Sequence, residues 1–309
     1  MAASPGLAGA STRLLRGSSW SSRHPSLRSW TRSSWRRNSG ALAWPSLADS
    51  HAHLDDEVFA ADIDAVIARA MDAGVGLIVT VGSDLPSSER GVRLAESYPQ
   101  VYAAVGFHPH FVDGLGPAEL RELRRLAADR KVAAIGEIGL DFYRMHSPKE
   151  RQIVAFREQL DLAAELGLPP LVHSRDAEEE TWVIMSEWAS AQHRETESLG
   201  VMHCFSGDAD MARRYADLRF LVSIAGNVTF PKASSARQVA RELPLKSMLI
   251  ETDAPTLAPV PYRGKRNEPA HLKIIAEAVA ETRGTSSEAI ADATRNNLMR
   301  LLHPHVRDL

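Results

Sequence analysis

The chain has 309 residues, of which 44% are hydrophobic and 24% are charged, and its formal net charge is −3. This balance is typical of a globular protein, and by itself it neither supports nor excludes a nucleic-acid substrate. No run of eighteen apolar residues occurs, so a membrane-spanning helix is not expected. With Cys204 as the only cysteine, an intramolecular disulfide and a multi-cysteine zinc site are both excluded.

The first 46 residues differ in composition from the rest, with seven arginines, four tryptophans and no acidic residue. Three interpretations stay open: an organelle transit peptide, an arm that contacts nucleic acid, and a disordered leader outside the functional domain. We expect the disordered leader, because Pro25 and the many Gly and Ser residues interrupt a long amphipathic helix. The predicted location is therefore the cytoplasm, with organelle import as the alternative.

From Leu47 onward, short apolar runs alternate with longer segments of helical periodicity. The predicted strands are 47–53, 76–81, 101–107, 132–138, 170–173, 201–204, 220–224 and 248–251. The predicted helices are 63–73, 88–97, 118–128, 149–166, 181–192, 208–218, 235–243, 271–281 and 286–302. Strands that alternate with helices pair in parallel through right-handed crossovers. Eight such repeats predict an α/β fold, a (β/α)₈ TIM-type barrel over residues 47–309.

An open, doubly wound sheet is the alternative architecture. Such a sheet normally carries a glycine-rich phosphate-binding turn after its first strand. Here the first predicted strand ends in the sequence His-Ala-His, at residues 51–53. The barrel is therefore the favoured prediction.

Potential metal ligands stand at the carboxyl ends of five predicted strands. They are His51 and His53 on the first strand, Glu137 on the fourth, His173 on the fifth, His203 on the sixth and Asp253 after the eighth. In a (β/α)₈ barrel these ends surround one mouth, where active sites lie. Each residue alone could be a polar rim residue or a helix cap. Their coincidence at the same end of five strands favours a shared site.

The types and spacing of these residues suit a metal centre. Residues i and i+2 of a strand point to the same side, so His51 and His53 can bind one cation together. Imidazole and carboxylate ligands suit divalent ions, of which we expect Mg²⁺, with Zn²⁺ or Mn²⁺ as alternatives. Four histidines and two carboxylates exceed one tetrahedral site. They suit two divalent ions that share a carboxylate and lie roughly 3.5–4 Å apart.

Seven motifs resemble, in order, the signature of the TatD deoxyribonucleases, which are metal-dependent members of the amidohydrolase-like barrel group. They are residues 49–54 (DSHAHL), 106–110 (GFHPH), 136–141 (GEIGLD), 172–175 (VHSR), 203–207 (HCFSG), 251–255 (ETDAP) and 263–269 (RGKRNEP). The resemblance extends from residue 47 to about residue 303. One position departs from it, since Thr256 stands where relatives commonly have a tyrosine.

The resemblance implies a hydrolase of DNA phosphodiester bonds that trims single strands from the 3′ end. It further implies one metal held by His51, His53 and Asp253, and a second held by His173 and His203. Glu137 would bridge the two metals, and His108 would contact the substrate near them. We hypothesise that Asp253 orients the attacking water and accepts its proton, so that Asp253 and Glu137 are the catalytic residues.

Basic and aromatic residues near the strand ends are candidates for binding the nucleic acid. Arg175 lies two residues after His173 and can contact a phosphate, or it can pair with a neighbouring acid. Arg263, Lys265 and Arg266 form a basic loop that can hold the backbone of the strand, unless Glu268 neutralises it. Candidate stacking residues are Phe107, Phe142 and Tyr143. Asn267 is expected to anchor the basic loop.

Other functions remain open at this stage. The same barrel could hydrolyse amides or esters, for example misacylated tRNA, because a fold does not determine its substrate. Many small-molecule hydrolases of this kind bridge their metals with a lysine on the fourth strand, whereas Lys131 precedes that strand here. A non-catalytic scaffold is disfavoured because all six ligands are present. Cys204 is expected to face the helices and to pack there, and the oligomeric state is left open.

Overall fold

The computed structural model describes residues 47–193 and 196–302, so the predictions for residues 1–46 lie outside the described residues. The strands are β1 (Leu47–Ala52), β2 (Val75–Val81), β3 (Val101–Val105), β4 (Val132–Asp141), β5 (Pro170–Arg175), β6 (Gly200–Met202), β7 (Phe220–Ile224) and β8 (Met248–Ile250). The helices are α1 (Ile63–Asp72), α2 (Leu85–Ser97), α3 (Pro117–Leu126), α4 (Lys149–Leu166), α5 (Glu178–Ser190), α6 (Ala209–Asp217), α7 (Ser234–Glu242), α8 (Leu272–Arg283) and α9 (Ser287–Leu302).

The strands form one parallel sheet in the order β1 to β8. A parallel bridge between Ala52 and Ala254 joins β1 to the chain after β8, so the sheet curls into a nearly closed barrel. The predicted (β/α)₈ fold is confirmed. Among the described residues, no helix combines the length and the apolarity that crossing a bilayer requires.

The strands are buried on both faces, which explains their continuous runs of Val, Ile, Leu and Ala. Alternate residues, such as Leu77 with Val79 and Tyr102 with Ala104, belong to a cluster inside the barrel. The end of α9 joins this cluster through Leu298. The Asn297 side chain of α9 donates hydrogen bonds to the carbonyl groups of Leu245 and Met248, at 2.8 Å each. Helix α9 therefore lies at the amino-terminal end of the strands, opposite the mouth.

Two buried glutamines of α4 hold the ends of β3 and β4. Gln159 Oε1 accepts a hydrogen bond from the Phe107 amide at 2.7 Å, and its Nε2 donates to the Phe107 carbonyl at 3.1 Å. Gln152 makes the same pair of contacts with the backbone of Asp141, at 2.8 and 3.1 Å. These side chains satisfy backbone groups that lack strand partners, and so they position the residues that border the mouth.

Candidate metal centre

The carboxylate of Glu137 is the centre of a cluster of histidines at the mouth of the barrel. Its side chain is buried, with 2% of the residue exposed. Nitrogen atoms of five histidines surround its oxygens: His173 Nδ1 at 2.8 Å, His51 Nε2 at 3.4 Å, His203 Nε2 at 3.4 Å, His53 Nε2 at 3.5 Å and His108 Nε2 at 3.6 Å. Residues far apart in the sequence thus converge on one carboxylate.

Asp253 lies beside this cluster. Its Oδ1 is 3.6 Å from His53 Nε2, and the Nε2 atoms of His51 and His53 are 3.3 Å apart. Potential ligand atoms of His51, His53 and Asp253 all lie within 4.8 Å of one another, and the same holds for His108, Glu137 and His173. The structure therefore brings all six predicted ligands together, and His108 lies in the same cluster.

The sequence pattern predicted Glu137 at the end of its strand, but the structure places it within the strand. Strand β4 continues to Asp141, and its pairing with β5 shifts register between Ile135 and Ile138. The Glu137 amide donates to the Gly82 carbonyl of the loop after β2, at 2.9 Å. Glu137 therefore enters the mouth from within β4, because an irregularity in the strand turns it there.

His53 and Asp253 are held together by the backbone just beyond β1 and β8. The Asp253 amide donates to the His51 carbonyl at 2.9 Å, and the His53 amide donates to the Ala254 carbonyl at 2.7 Å. Asp253 adopts a left-handed conformation with φ of 52°, which is uncommon for a residue other than glycine but tolerated by aspartate. These contacts place the Asp253 carboxylate against His53.

The prediction for the orientation of Cys204 was wrong. This residue was expected to face the helices, but its sulfur lies within 4.8 Å of potential ligand atoms of His203 and Asp253. The alternation of side chains applies only within a strand, and β6 ends at Met202. Cys204 lies in a turn with φ of 43°. Burial raises the pKa of its thiol well above the usual range, so the group is protonated at neutral pH and is a poor nucleophile.

The electrostatics of the cluster favour a positive charge beside Glu137. Burial alone would raise the pKa of Glu137, but His108 and His203 outweigh it and lower that pKa well below its usual value. Burial alone would lower the pKa of His203, but the carboxylates of Glu251 and Glu137 raise it to about 10. Without a cation, a protonated imidazole neutralises the carboxylates, and a metal ion would replace that proton.

We predict that metal binding near neutral pH releases protons. The folded-state pKa of His203 is raised from 6.5 to about 10, so its charged form stabilises the metal-free protein below pH 6.5 and that contribution disappears as the pH rises through 10. A metal ligand must be neutral, so the apparent affinity should increase with pH between 6 and 9, by up to about tenfold per pH unit for each proton released. Calorimetric titration in two buffers of different ionisation enthalpy measures the proton count. A count of zero would contradict the prediction.

The remaining candidate residues differ in their surroundings. The Arg175 guanidinium lies 4.1 Å from the ring centroid of Tyr143, which is 61% exposed, and Arg263 lies 4.2 Å from that of Phe230. Lys265 is exposed. These cationic groups are accessible to a ligand, and those of Arg175 and Arg263 lie against aromatic rings.

Two predictions about substrate contacts are not supported by the geometry. The Arg266 guanidinium donates to both carboxylate oxygens of Asp62 at 2.8 Å, so an internal carboxylate already occupies the group expected to bind phosphate. Phe107 is only 4% exposed and packs in the core, so it offers no stacking surface. The predicted anchor is confirmed, since buried Asn267 donates to the carbonyl groups of Thr252 and Thr256 at 2.8 and 2.7 Å.

Several polar residues at the site were missed by sequence reasoning. Asp141 Oδ2 lies 2.8 Å from His110 Nε2 and 3.5 Å from His173 Nε2. Glu251 Oε1 lies 2.9 Å from His203 Nδ1. Both carboxylates occur in the motifs 136–141 and 251–255, beside predicted ligands, and this position was the available signal. The residue types in a motif do not show which carboxylates lie against the histidines on the side away from the candidate metal centre.

The threonine at position 256 makes a specific contact in the structure. Its Oγ1 donates to Asp253 Oδ2 at 2.7 Å, which leaves Asp253 Oδ1 directed towards His53. We predict that Thr256→Val, which removes this hydrogen bond at similar volume, weakens metal binding by about tenfold, the equivalent of one hydrogen bond to a charged group. Thr256→Ser should retain the metal affinity. Equal metal affinity in the Val and Ser variants would contradict the prediction.

Comparisons with known proteins agree with this geometry. The family described as "TatD related DNase" matches residues 48–303. YabD of Bacillus subtilis, an uncharacterized metal-dependent hydrolase, is 42% identical over 256 residues, which cover 82% of this chain and 98% of that protein. The "3′-5′ ssDNA/RNA exonuclease TatD" of Klebsiella pneumoniae is 34% identical over 258 residues, covering 82% and 96%. The structure of YjjV, a TatD homologue from Escherichia coli, superimposes with a TM-score of 0.78 at 33% identity, covering 84% and 99%.

A (β/α)₈ barrel with such a cluster of histidines and carboxylates at its mouth, and with these relatives, is a metal-dependent hydrolase. The chain belongs to the TatD family. Its donor atoms fit divalent metal ions, since they combine imidazole nitrogen with carboxylate oxygen at close range. Among the described residues, Nδ1 of His51, Nδ1 of His203 and Nε2 of His173 are buried without a hydrogen-bond partner, as expected for a cluster whose histidines serve another ligand.

Proposed function

We propose that this protein is a metal-dependent nuclease that removes nucleotides from the 3′ end of single-stranded DNA. The observation that carries the proposal is the convergence of five histidines and Asp253 around the buried carboxylate of Glu137. The name of the Klebsiella relative supports a nucleic-acid substrate. The predicted site residues are consistent with this chemistry.

Two divalent ions, Mg²⁺ in the first instance and Zn²⁺ or Mn²⁺ as alternatives, are proposed for the centre. His51, His53 and Asp253 would hold one, His173 and His203 would hold the other, and Glu137 would bridge them. The distances support this division, since Glu137 Oε2 faces His51 and His53 while Oε1 faces His173 and His203. Each oxygen of the carboxylate thus serves one group of histidines.

When bound, such ions neutralise charge on the phosphate and lower the pKa of a water molecule. The protein then has to orient that water and accept its proton. Asp253 is suited to both tasks, because its carboxylate lies at the mouth and Thr256 fixes one of its oxygens. His108 is 8% exposed and its Nε2 lies 3.6 Å from Glu137, so this nitrogen would contact a phosphate oxygen beside the centre.

The proposed strand-binding residues are cationic side chains at the rim of the mouth. Arg175 over Tyr143 offers both a planar cation for a phosphate and an exposed ring for a base. Arg263 and Lys265, in the loop after β8, would contact the backbone on another side of the mouth. Arg266 is paired with Asp62 in the structure, so it would have to exchange that partner to bind a phosphate.

The test is incubation of the purified protein and Mg²⁺ with single-stranded DNA labelled at either end. Wild type should shorten the DNA from its 3′ end, and the His51→Ala, His53→Ala double variant should lose at least about 10³-fold of this activity. Equal degradation by both proteins would refute the nuclease assignment. Parallel assays with RNA and with aminoacyl esters would show whether another substrate class is preferred.

The amide or ester hydrolase alternative has no specific support in the structure. Within the described part of the chain, no lysine stands among the candidate ligands as a metal bridge. Lys131 Nζ donates instead to the carbonyl groups of Pro99 and Val101, at 2.9 and 3.0 Å. These groups lie at the start of β3, at the opposite end of the barrel from the mouth. Lys131 therefore lies away from the candidate metal centre.

A further inference from the structure

The exposed apolar side chains of this barrel are concentrated at its mouth. Among the described residues, six of the eight large hydrophobic side chains that are exposed lie in loops that follow strands: Val58, Phe111, Tyr143, Met145, Val260 and Tyr262. All three exposed Phe and Tyr rings of the described chain belong to this group. This concentration indicates that the mouth meets a ligand with apolar faces.

Neighbouring side chains cover one face of two of these rings. The Arg175 guanidinium lies 4.1 Å from the centroid of Tyr143, and the ring of His271 stacks on that of Tyr262, with centroids 4.2 Å apart and planes inclined by 16°. Phe111 is 49% exposed, and no described side chain stacks parallel to its ring or places a cation over it. Phe111 therefore has an aromatic face that is open to a ligand.

Phe111 is separated from the candidate metal centre by a single side chain. Its ring centroid lies 6.3 Å from that of His108, with planes inclined by 58°, and His108 Nε2 lies 3.6 Å from Glu137 Oε1. The base of a nucleotide whose phosphate is bound at the centre can therefore reach the ring of Phe111.

The loop after β3 holds Phe111 in its exposed position. The Phe111 amide donates to the His108 carbonyl at 2.9 Å, and the Phe111 carbonyl accepts a hydrogen bond from the Gly114 amide at 3.1 Å. The side chains of Val112 and Leu115, which are 1% and 4% exposed, pack in the core. Because this backbone is already fixed, a ligand that stacks on Phe111 orders little of the chain on binding.

The charge of the loop favours a base over a phosphate as the contact of Phe111. Residues 107–116 contain no lysine or arginine, and they include the exposed carboxylate of Asp113. Phosphates are attracted by cationic side chains, whereas stacking of a base on an aromatic ring needs no charge. A base that is paired with an opposite strand is not free to turn onto the ring, so an unpaired base is the ligand that fits.

We propose that Phe111 is a specificity-determining residue: the open face of its ring stacks on an unpaired base that adjoins the phosphodiester bond to be cut. The contact favours DNA ends whose bases are unpaired. This inference rests on the proposed nuclease function and assigns to Phe111 a part of the substrate other than the phosphate.

The first test compares three single-stranded oligonucleotides with Mg²⁺: one intact, one without its last base and one without its second-last base. Wild type should hydrolyse one of the two abasic substrates with a kcat/KM about tenfold below that of the intact one. Phe111→Ala and Phe111→Leu should lose about tenfold on the intact substrate, mainly through KM, and should no longer distinguish it from the abasic one. Phe111→Trp should restore the discrimination.

Val154→Ala is the matched control, because Val154 is an equally exposed apolar side chain, at 50%, but lies on α4. It should leave both kcat and KM unchanged. A blunt duplex provides the second comparison: Phe111→Ala should lower the preference of the enzyme for single strands over this duplex by about tenfold.

The second test measures binding without turnover. Oligonucleotides with phosphorothioate linkages at the 3′ end, which resist hydrolysis, carry a dye at the 5′ end, and fluorescence anisotropy gives their Kd. Wild type should bind the intact oligonucleotide about tenfold more tightly than the abasic one that hydrolysis identifies, and Phe111→Ala should bind the two equally.

The outcomes distinguish this inference from the proposed function. If wild type cleaves no DNA, the nuclease function is wrong and this inference falls with it. If wild type cleaves DNA but treats both abasic substrates as it treats the intact one, the base contact is wrong while the nuclease function stands. If Phe111→Ala and Phe111→Leu keep the discrimination of wild type, Phe111 is not the residue that contacts the base.

Discussion

Replacement of Glu137 by glutamine is expected to abolish hydrolysis, with a loss of at least about 10³-fold in kcat. Glu137 contacts five histidine nitrogens, and it is the one carboxylate among the described residues whose two oxygens face both groups of candidate ligands. Glutamine has the same shape but offers one weak oxygen ligand and no charge. The variant should therefore fold and yet fail to retain a pair of cations.

Metal-dependent stabilisation measures the same effect without activity. A ligand present at 100 times its Kd stabilises a protein by about 2.7 kcal/mol, which corresponds to a rise in Tm of about 5–10 °C for a domain of this size. Wild type should show this rise on addition of Mn²⁺ or Zn²⁺, and Glu137→Gln should show little of it. Glu122→Gln on the exposed face of α3 is the control and should behave as wild type. Equal metal-dependent rises in Glu137→Gln and wild type would contradict the bridging role.

Replacement of Gly139 by alanine is expected to have the largest effect on stability, a loss of at least about 4 kcal/mol in the free energy of unfolding. Gly139 has φ of 138°, and a Cβ at this position would lie 2.0 Å from the carbonyl oxygen of His173. Gly139 and His173 are neighbours in the pairing of β4 with β5. The strands would have to separate at the point where His173 enters the metal centre, so metal affinity should fall as well.

Gly167→Ala separates backbone strain from this clash. Gly167 also has a positive φ, 75°, but nothing lies within 4 Å of the position a Cβ would take. The cost should then be only the conformational one, about 1–2 kcal/mol, with unchanged metal affinity. Urea denaturation and metal titration of both variants provide the comparison. If Gly139→Ala were no more destabilising than Gly167→Ala, the close approach of β4 and β5 would not constrain the site.

The sequence by itself determined the barrel and the chemical types at its mouth. Parallel strands buried on both faces leave continuous apolar runs, and all eight were recognised with ends within a few residues of those observed. Because the carboxyl ends of such strands must meet, the order of the ligands along the chain was sufficient to bring His51, Glu137 and His203 together. These conclusions depend on local periodicity and on topology, both of which are written in the sequence.

Only the tertiary structure decided where individual side chains point and which partners they have. Glu137 enters the mouth from within β4, Cys204 turns towards Asp253 and Arg266 binds Asp62, because bulges, left-handed turns and ion pairs alter the simple alternation of a strand. The contacts of Glu251 with His203 join residues of different strands. Whether such contacts form depends on differences of about an ångström in the relative positions of segments that are remote in the sequence. Residue patterns do not encode those positions at that precision.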